Sequence, residues 1–203
     1  QSSGSFSDSY FAGSITASSN YGGLLGYIVP NTLVKNSYYD IDNSLINGVA
    51  TVSIGGLFSG QYADWEGSSA TPASRTLDIS NYFDAPDVDG YYRISSYIDN
   101  SAAIGGNPDG QSDLSDMLGF IESVGSSSAN SYKFKLANDI DMATASIPYL
   151  PYLSVAELHG NGFEINNFSW QAPTSNVGFI GHGYKSRLYD MTVNTAVYSG
   201  QSD

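Results

Sequence analysis

The chain contains no cysteine, which excludes disulfide bonds and thiolate metal sites. It also has few basic residues, with seven Lys and Arg against twenty Asp and Glu and a formal net charge of −13. Binding to nucleic acid or to an anionic membrane surface needs clusters of Lys and Arg, so neither partner is expected. No apolar run approaches the roughly 20 residues of a membrane-spanning helix, so membrane insertion is not expected.

What the chain does have is enough apolar material for a folded core. It has 203 residues, of which 41% are hydrophobic and only 13% are charged. A chain of this length can bury one substantial core or two small ones. The surface must therefore consist mostly of Ser, Thr, Asn, Gly and Tyr.

One stretch of sequence occurs twice in altered form. Gly23-Leu24-Leu25-Gly26 aligns with Gly178-Phe179-Ile180-Gly181, and the alignment continues without a gap to Leu33 and Leu188. A second copy of a segment that aligns without gaps is typical of a repeat architecture.

Short apolar and aromatic runs fill 6–62 and return from Tyr132 onward, bounded by Ser, Asn and Gly. Their length and composition predict strands. In the segment Tyr132 to Leu136 the alternation predicts Phe134 and Leu136 inward and both lysines outward. Interpreted as strands that repeat without hairpin turns, these runs favour a parallel ladder in which Gly and Asn take the corners.

One helix is predicted over about 113–124. Ser112 or Asp113 can cap its free amides. Leu114, Met117, Leu118 and Ile121 recur at the spacing of one helical face, so they are expected to pack on the strands.

The motif residues resemble the GLUG-motif modules of large bacterial surface proteins and adhesins. Gly23-Leu24-Leu25-Gly26 matches the motif, Gly178-Phe179-Ile180-Gly181 matches it with Phe in the Leu place, and Gly56-Leu57-Phe58-Ser59 departs at the last Gly. The segment "NSYYDIDNS" is similar to one that often follows the motif in that family. The resemblance implies an all-β fold, a right-handed parallel β-helix (β-solenoid) with one short helix, and a structural or adhesive role.

The same resemblance implies a domain order that is out of phase. Residues 1–66 are similar to the closing half of a module, 67–90 are a connector, and 91–203 are similar to the opening half. This order implies a tandem array or a fibre that assembles head to tail, located outside the cell or at the cell surface.

Enzymatic alternatives depend on carboxylate pairs, because β-helix lyases and hydrolases use clustered carboxylates. The candidates are Asp40 with Asp42 and Asp139 with Asp141. Neither pair has an adjacent base or cation of obvious use, and Asp commonly caps turns through backbone amides. We therefore expect no catalytic residues and no enzyme activity.

A cofactor is not required by any motif, although calcium is a candidate. Asp84, Asp87 and Asp89 precede Gly90 in the connector, where carboxylate oxygens could hold a calcium ion. The spacing does not fit an EF-hand, and a solvated acidic turn is the plain alternative. His159 and His182 lack a third histidine and are expected in surface or turn positions.

Three functional hypotheses follow. The first is an extracellular structural or adhesive module that works through end-to-end contacts. The second is a carbohydrate-binding module that holds surface glycans on aromatic side chains such as Tyr149 and Tyr152. A β-helix polysaccharide lyase or hydrolase ranks third.

Overall fold

The computed structural model describes residues 5–19, 21–26, 33–97, 113–121, 131–143, 145, 150–172 and 178–200. Most of these residues lie in short strands and the loops between them. Within the described ranges, no helix has the length and apolar character needed to cross a bilayer.

The first strand region contains eight short strands. They are β1 (Ser5–Ser7), β2 (Tyr10–Phe11), β3 (Ser14–Ile15), β4 (Leu33–Lys35), β5 (Tyr38–Asp40), β6 (Leu45–Ile46), β7 (Val49–Ala50) and β8 (Gly56–Leu57). They form three small sheets with the orders β1-β4, β2-β5-β8 and β3-β6-β7. Segment 5–15 thus lies parallel to 33–46, with Ser5 beside Leu33 and Ser14 beside Leu45.

Strands β6 and β7 form a hairpin, which is the antiparallel pair among the described strands. Asn47 and Gly48 connect them, with φ of 53° and 84°. Positive φ at both central residues defines the type I′ turn for which Asn-Gly is the strongest sequence signal. The expectation of strands without hairpin turns is therefore wrong at this point, and the Asn-Gly pair was the signal against it.

Helix α1 (Ser59–Gly67) replaces the strands expected up to Tyr62. Its first amide, that of Ser59, donates to Asp42 Oδ2 at 2.9 Å. Trp65 is fully buried, and its Nε1 donates to Asn36 Oδ1 at 2.7 Å. Because isolated helices this short are marginal, these tertiary contacts stabilise α1 more than its own sequence does.

The connector 67–90 is part of the folded structure. It makes two turns of 3-10 helix, Pro72–Ser74 and Ile79–Asn81. Tyr82 and Phe83 follow the second turn and are buried in the common core. The connector therefore contributes packing as well as linkage.

The second strand region contains nine strands. They are β9 (Tyr92–Ile94), β10 (Lys133–Leu136), β11 (Ile140–Asp141), β12 (Leu153–Ser154), β13 (Glu157–His159), β14 (Glu164–Ala172), β15 (Gly183–Tyr184), β16 (Arg187–Tyr189) and β17 (Thr192–Gly200). They form a four-stranded sheet of order β9-β10-β13-β16, a three-stranded sheet β11-β14-β17 and the pair β12-β15. All of these pairings are parallel.

The helix expected over 113–124 has a different form. A 3-10 turn, Ser115–Met117, leads into helix α2 (Leu118–Ile121). The residue at the cap position of the 3-10 turn is Leu114, and the Asp113 side chain accepts the Ser96 hydroxyl. The backbone amide of Asp113 donates to Asp116 Oδ2 at 3.1 Å. Residues 122–124 and Ser112 lie outside the described residues.

The apolar face expected for this helix is confirmed. All four of its residues are buried in the core. They are Leu114, Met117, Leu118 and Ile121.

The prediction of a right-handed parallel β-helix is wrong. The described strands form six separate sheets of two to four strands, and no sheet forms a solenoid. No described strand of the first region pairs with a strand of the second. The physical reason is that helical segments fill the space between the regions, so side chains and not backbone ladders join them.

These helical segments lie in one core shared by both regions. Tyr38 and Trp65 meet edge to face with ring centroids 5.1 Å apart. Phe83 contacts Phe120 and Phe134 with centroids at 6.2 and 5.2 Å. A single apolar cluster thus runs from β5 through α2 to β13 and β14.

We predict that Leu118→Asp lowers the free energy of unfolding by about 2–4 kcal/mol, because it places an unpaired charge in the core. Leu118 is 2% exposed, whereas Val88 is fully exposed. Val88→Asp is therefore the matched control and should leave stability nearly unchanged. Urea unfolding followed by tryptophan fluorescence measures both, and equal midpoints for the two variants would contradict the packing of α2.

Candidate functional site

The four-stranded sheet places polar side chains on its outer surface. In β10, Phe134 and Leu136 are buried while Lys133 and Lys135 are half-buried on the opposite face. This arrangement follows from the alternation of side chains along a strand, and it confirms the orientation expected for β10.

One row of outward side chains crosses all four strands. Arg93 pairs in register with Lys135, Lys135 with His159, and His159 with Tyr189. The rings of His159 and Tyr189 are stacked, with centroids 4.3 Å apart and planes inclined by 22°. His159 Nε2 also lies 3.3 Å from Asp190 Oδ2.

A second row runs beside the first. Lys133 pairs in register with Glu157, and Glu157 pairs with Arg187. Arg187 Nη1 donates to Glu157 Oε1 at 3.2 Å. We call the side chains of these two rows, together with Tyr91, the cationic face.

Tyr91 connects the two rows. Its ring lies beneath Lys133 Nζ and Lys135 Nζ, at 5.3 and 5.7 Å from the centroid. Its hydroxyl donates to Glu157 Oε2 at 3.2 Å and is hydrogen-bonded to the hydroxyl of Tyr189. The bond to Tyr189, burial and the bond to Glu157 raise the pKa of Tyr91 above its ordinary value.

The charge of this face differs from that of the whole chain. Four of the seven Lys and Arg residues lie on it, namely Arg93, Lys133, Lys135 and Arg187. The carboxylates in contact with them or with His159 are those of Asp87, Glu157 and Asp190. The face is thus a local excess of positive charge on a chain whose net charge is −13.

Sequence reasoning missed this face as a site, although it placed both lysines outward. The signal that could have found it is the alternation of polar and apolar residues in "YYRI" and "SRLYD", which matches that in "YKFKL". The in-register pairing that brings the three segments together could not be read from any one of them.

The three connector carboxylates proposed for calcium do not converge. Asp87 Oδ1 accepts the backbone amides of Asp89 and Tyr91, each at 3.0 Å, and Asp87 Oδ2 pairs with Lys135. Lys135 and the Tyr91 amide hold the pKa of Asp87 at about 2. Asp84 and Asp89 are exposed, and no group of three potential metal ligands occurs among the residues described. The geometry does not support a calcium site.

The carboxylate pair Asp40 and Asp42 binds backbone and hydroxyl groups around the start of α1. Asp40 Oδ1 accepts the amides of Asp42 and Asn43 at 3.0 and 3.1 Å. The Ser59 hydroxyl also donates to Asp40, at 2.8 Å. Both side chains therefore cap turns, which is the structural role expected for them.

The pair Asp139 and Asp141 also binds backbone amides. Asp141 Oδ1 accepts the Ala143 amide at 2.9 Å, which closes a turn. Asp139 Oδ1 accepts the Glu164 amide at 2.9 Å, which joins its loop to the start of β14. Asn167 donates to Asp141 as well and is the largest cause of its lowered pKa. Asp141 thus has the turn role expected for it, whereas Asp139 links segments that are distant in sequence.

The first motif copy lies in a bend against β5. Gly23 is buried, and its amide donates to Ser53 Oγ at 2.9 Å. A Cβ on Gly23 would lie 2.4 Å from the Tyr39 ring, so only glycine fits this contact. Leu24 packs on the core, Leu25 is half-buried and Gly26 is exposed.

The second motif copy makes a single parallel bridge. Ile180 pairs with Leu150, and Gly181 donates its amide to Leu150 O at 2.9 Å. Phe179 is buried edge to face against Phe168, with centroids 5.6 Å apart, and Gly178 is half-buried. Both copies thus place apolar side chains on the core through bends, outside any strand.

The structure agrees with some of the positions expected for the aromatic and histidine side chains and differs from others. Tyr152 is buried, which removes it as a sugar platform, and Tyr149 lies outside the described residues. His182 is exposed and stacks on Tyr152 at 5.0 Å, consistent with the surface position expected. His159 belongs to the cationic face.

Comparisons with protein-family models, with curated proteins and with solved structures gave no match for this chain. The resemblance to GLUG-motif modules is neither shown nor excluded by them and stays a prediction.

We predict that Gly23→Ala destabilises the protein, by about 1–3 kcal/mol, because its methyl group overlaps the buried Tyr39 ring. Gly67→Ala is the control, since a Cβ there has nothing within 4 Å and α1 favours alanine. Thermal unfolding should show a lower midpoint for Gly23→Ala and an equal or higher one for Gly67→Ala. The reverse order would disprove the close contact.

Proposed function

We propose that the chain is an extracellular structural and adhesive module that joins head to tail with a second copy of itself through strand edges. The observation that carries the proposal is that the first three and the last three described strands all lie at edges of their sheets. An open strand edge offers unpaired backbone groups to another strand.

Strands β15, β16 and β17 are the last strands of the second region, and each lies at the edge of its sheet. Apolar side chains on this edge are only partly buried. Leu188 is 49% exposed, whereas Leu158, its in-register partner on β13, is 0% exposed. Val193 is likewise half-buried beside the buried Ile165. If a further strand paired with this edge, it would bury Leu188 and Val193 to the extent that Leu158 and Ile165 are already buried.

The edge formed by β1, β2 and β3 shows the same gradient at the other end of the described chain. Its inner side chains are half-buried, and each is in register with a buried partner on the next strand. The pairs are Phe6 with Val34, Phe11 with Tyr39, and Ile15 with Ile46.

The two edges are different surfaces, so a contact between them is heterologous. Such a contact does not close on itself and extends into a fibre. Strand addition supplies the backbone hydrogen bonds, and the half-buried apolar residues of both edges supply the buried area. The same contact serves successive modules of one chain.

The location outside the cell that we propose follows from the adhesive role. The acidic excess of the chain keeps separate copies soluble.

We predict concentration-dependent assembly of the isolated protein in sedimentation velocity, with species larger than a dimer. Leu188→Lys should shift the distribution to monomer, because it places a charge on the edge. Val88→Lys, at a fully exposed position, is the control and should assemble as the wild type does. A wild-type protein that stays monomeric at every concentration refutes assembly of separate chains.

The absence of native cysteine allows the pairing to be mapped by crosslinking. Tyr10 and Leu188 are exposed by 54% and 49% at the two edges, so Tyr10→Cys and Leu188→Cys place one thiol on each. Oxidation of the mixed variants should give a heterologous crosslink. Efficient crosslinking of Leu188→Cys to itself would instead indicate a symmetric dimer.

We also propose that the module has no catalytic role. Each of the four candidate carboxylates accepts a backbone amide, in a local turn for Asp40 and Asp141 and from a distant segment for Asp42 and Asp139. We predict that incubation with pectate or alginate releases no new reducing ends and no unsaturated products. Turnover that disappears in Asp40→Asn or Asp139→Asn would overturn this proposal.

A further inference from the structure

The cationic face concentrates charge where the rest of the chain would repel an anion. Four of the seven Lys and Arg residues share one surface of one sheet, on a protein with a net charge of −13. The three carboxylates in contact with the face leave it a small positive balance, which favours an anionic ligand here over the acidic remainder of the chain.

Two of these cations are well placed to meet a ligand. Arg93 lies on the edge strand β9 and is exposed, and the Arg187 side chain on the opposite edge strand β16 is 75% exposed. Three interstrand steps separate these strands, which is about 14 Å at the usual strand spacing. A ligand that contacts both arginines must therefore be an extended chain.

The face also carries groups that accept hydrogen bonds. Glu157 lies in the second row, where Arg187 and Tyr91 bind its two carboxylate oxygens and its side chain is 20% exposed. Asp190 lies beside His159, next to the first row, and its side chain is 58% exposed. Both carboxylates would repel a densely charged polymer such as a polyphosphate or an acidic peptide. The exposed Asp190 suits a ligand that presents hydroxyl donors between its negative charges, as a sugar acid does.

The face also exposes one aromatic ring, that of Tyr189. Tyr189 is 38% exposed, and its ring is held in place by stacking on His159 and by the hydroxyl contact with Tyr91. A ring fixed in this way loses little conformational entropy on binding and offers an apolar surface with a polar tip.

We propose that the cationic face binds an acidic polysaccharide whose repeating units carry carboxylates, that is, a polymer of uronic acids. The guanidinium groups of Arg93 and Arg187 hold sugar carboxylates, the exposed carboxylate of Asp190 accepts sugar hydroxyls, and Tyr189 contacts a sugar ring. The proposal names the ligand of an adhesive module and does not depend on edge pairing.

The test uses titration calorimetry with oligogalacturonate as the probe and the full chain as the binder. The double variant Arg93→Gln, Arg187→Gln should lower affinity by about tenfold or more, because both charged contacts are lost. The control variant Lys35→Gln removes an exposed positive charge from β4, in the first strand region, and should keep wild-type affinity. Unfolding midpoints of all variants confirm that they are folded.

Three further measurements decide the ligand class. Tyr189→Leu should weaken oligogalacturonate binding while the arginines stay in place, and neutral oligosaccharides of equal length should bind poorly. Equal or tighter binding of polyglutamate or polyphosphate would overturn the proposal in favour of a general polyanion surface. No binding of oligogalacturonate by folded wild-type protein, or undiminished binding by the double variant, would also overturn it.

The Leu188→Lys variant separates this inference from the proposed assembly. It should bind oligogalacturonate as a monomer if the cationic face alone holds the ligand. Loss of assembly with retained binding would support both proposals, whereas loss of binding in this variant would contradict the assignment of the ligand to the face.

Discussion

The packing of one helical turn between two strand regions is the constraint on which the rest of the structure depends. Two side chains of the first region donate to the backbone of the α2 segment, Tyr38 to Gly119 O at 3.2 Å and Gln61 to Asp116 O at 3.0 Å. A Cβ on Gly119 would lie 2.6 Å from Leu77 Cδ1, so the approach is close. Phe120 continues the contact to Phe83 of the connector and to Tyr132 of the second region. The relative position of the two regions thus follows from a few contacts with α2.

This arrangement also explains what the sequence could and could not predict. The buried face of 114–121 and the alternation in β10 are local periodicities, and both are present in the structure. Closure into a β-helix is a non-local property, and the motif glycines do not specify it. The structure has helical segments where a solenoid would need continuous ladders, and Asn47-Gly48 reverses the chain into a hairpin.

Helix α1 shows why some elements were missed. Its sequence "SGQYADWEG" has glycine near both ends, and no acidic residue lies in its first turn. The helix depends on partners that are distant in sequence, such as Asn36 for Trp65 and Asp42 for the Ser59 amide.

Val155 has φ of 49°, a conformation that β-branched residues rarely adopt and that no sequence pattern signals.

Only part of the candidate site could be predicted from the sequence. That Lys133 and Lys135 point outward could be predicted from alternation alone. Their neighbours could not, because Arg93, His159 and Tyr189 reach them through the parallel register of four strands. The carboxylates considered as calcium ligands form no metal-ligand group among the described residues, because local density of carboxylates does not fix where each oxygen is used. Asp87 is engaged by two amides and a lysine.

The acidic excess of the chain acts on the open strand edges. Each copy has a formal net charge of −13, so two copies repel one another at low ionic strength over distances beyond contact. The Debye length falls from about 30 Å at 0.01 M salt to about 8 Å at physiological ionic strength, and the repulsion then reaches only near neighbours. Charge therefore keeps the edges apart in dilute media and permits their approach in saline surroundings. For the assembly that we propose, ionic strength is therefore expected to control how closely two edges approach.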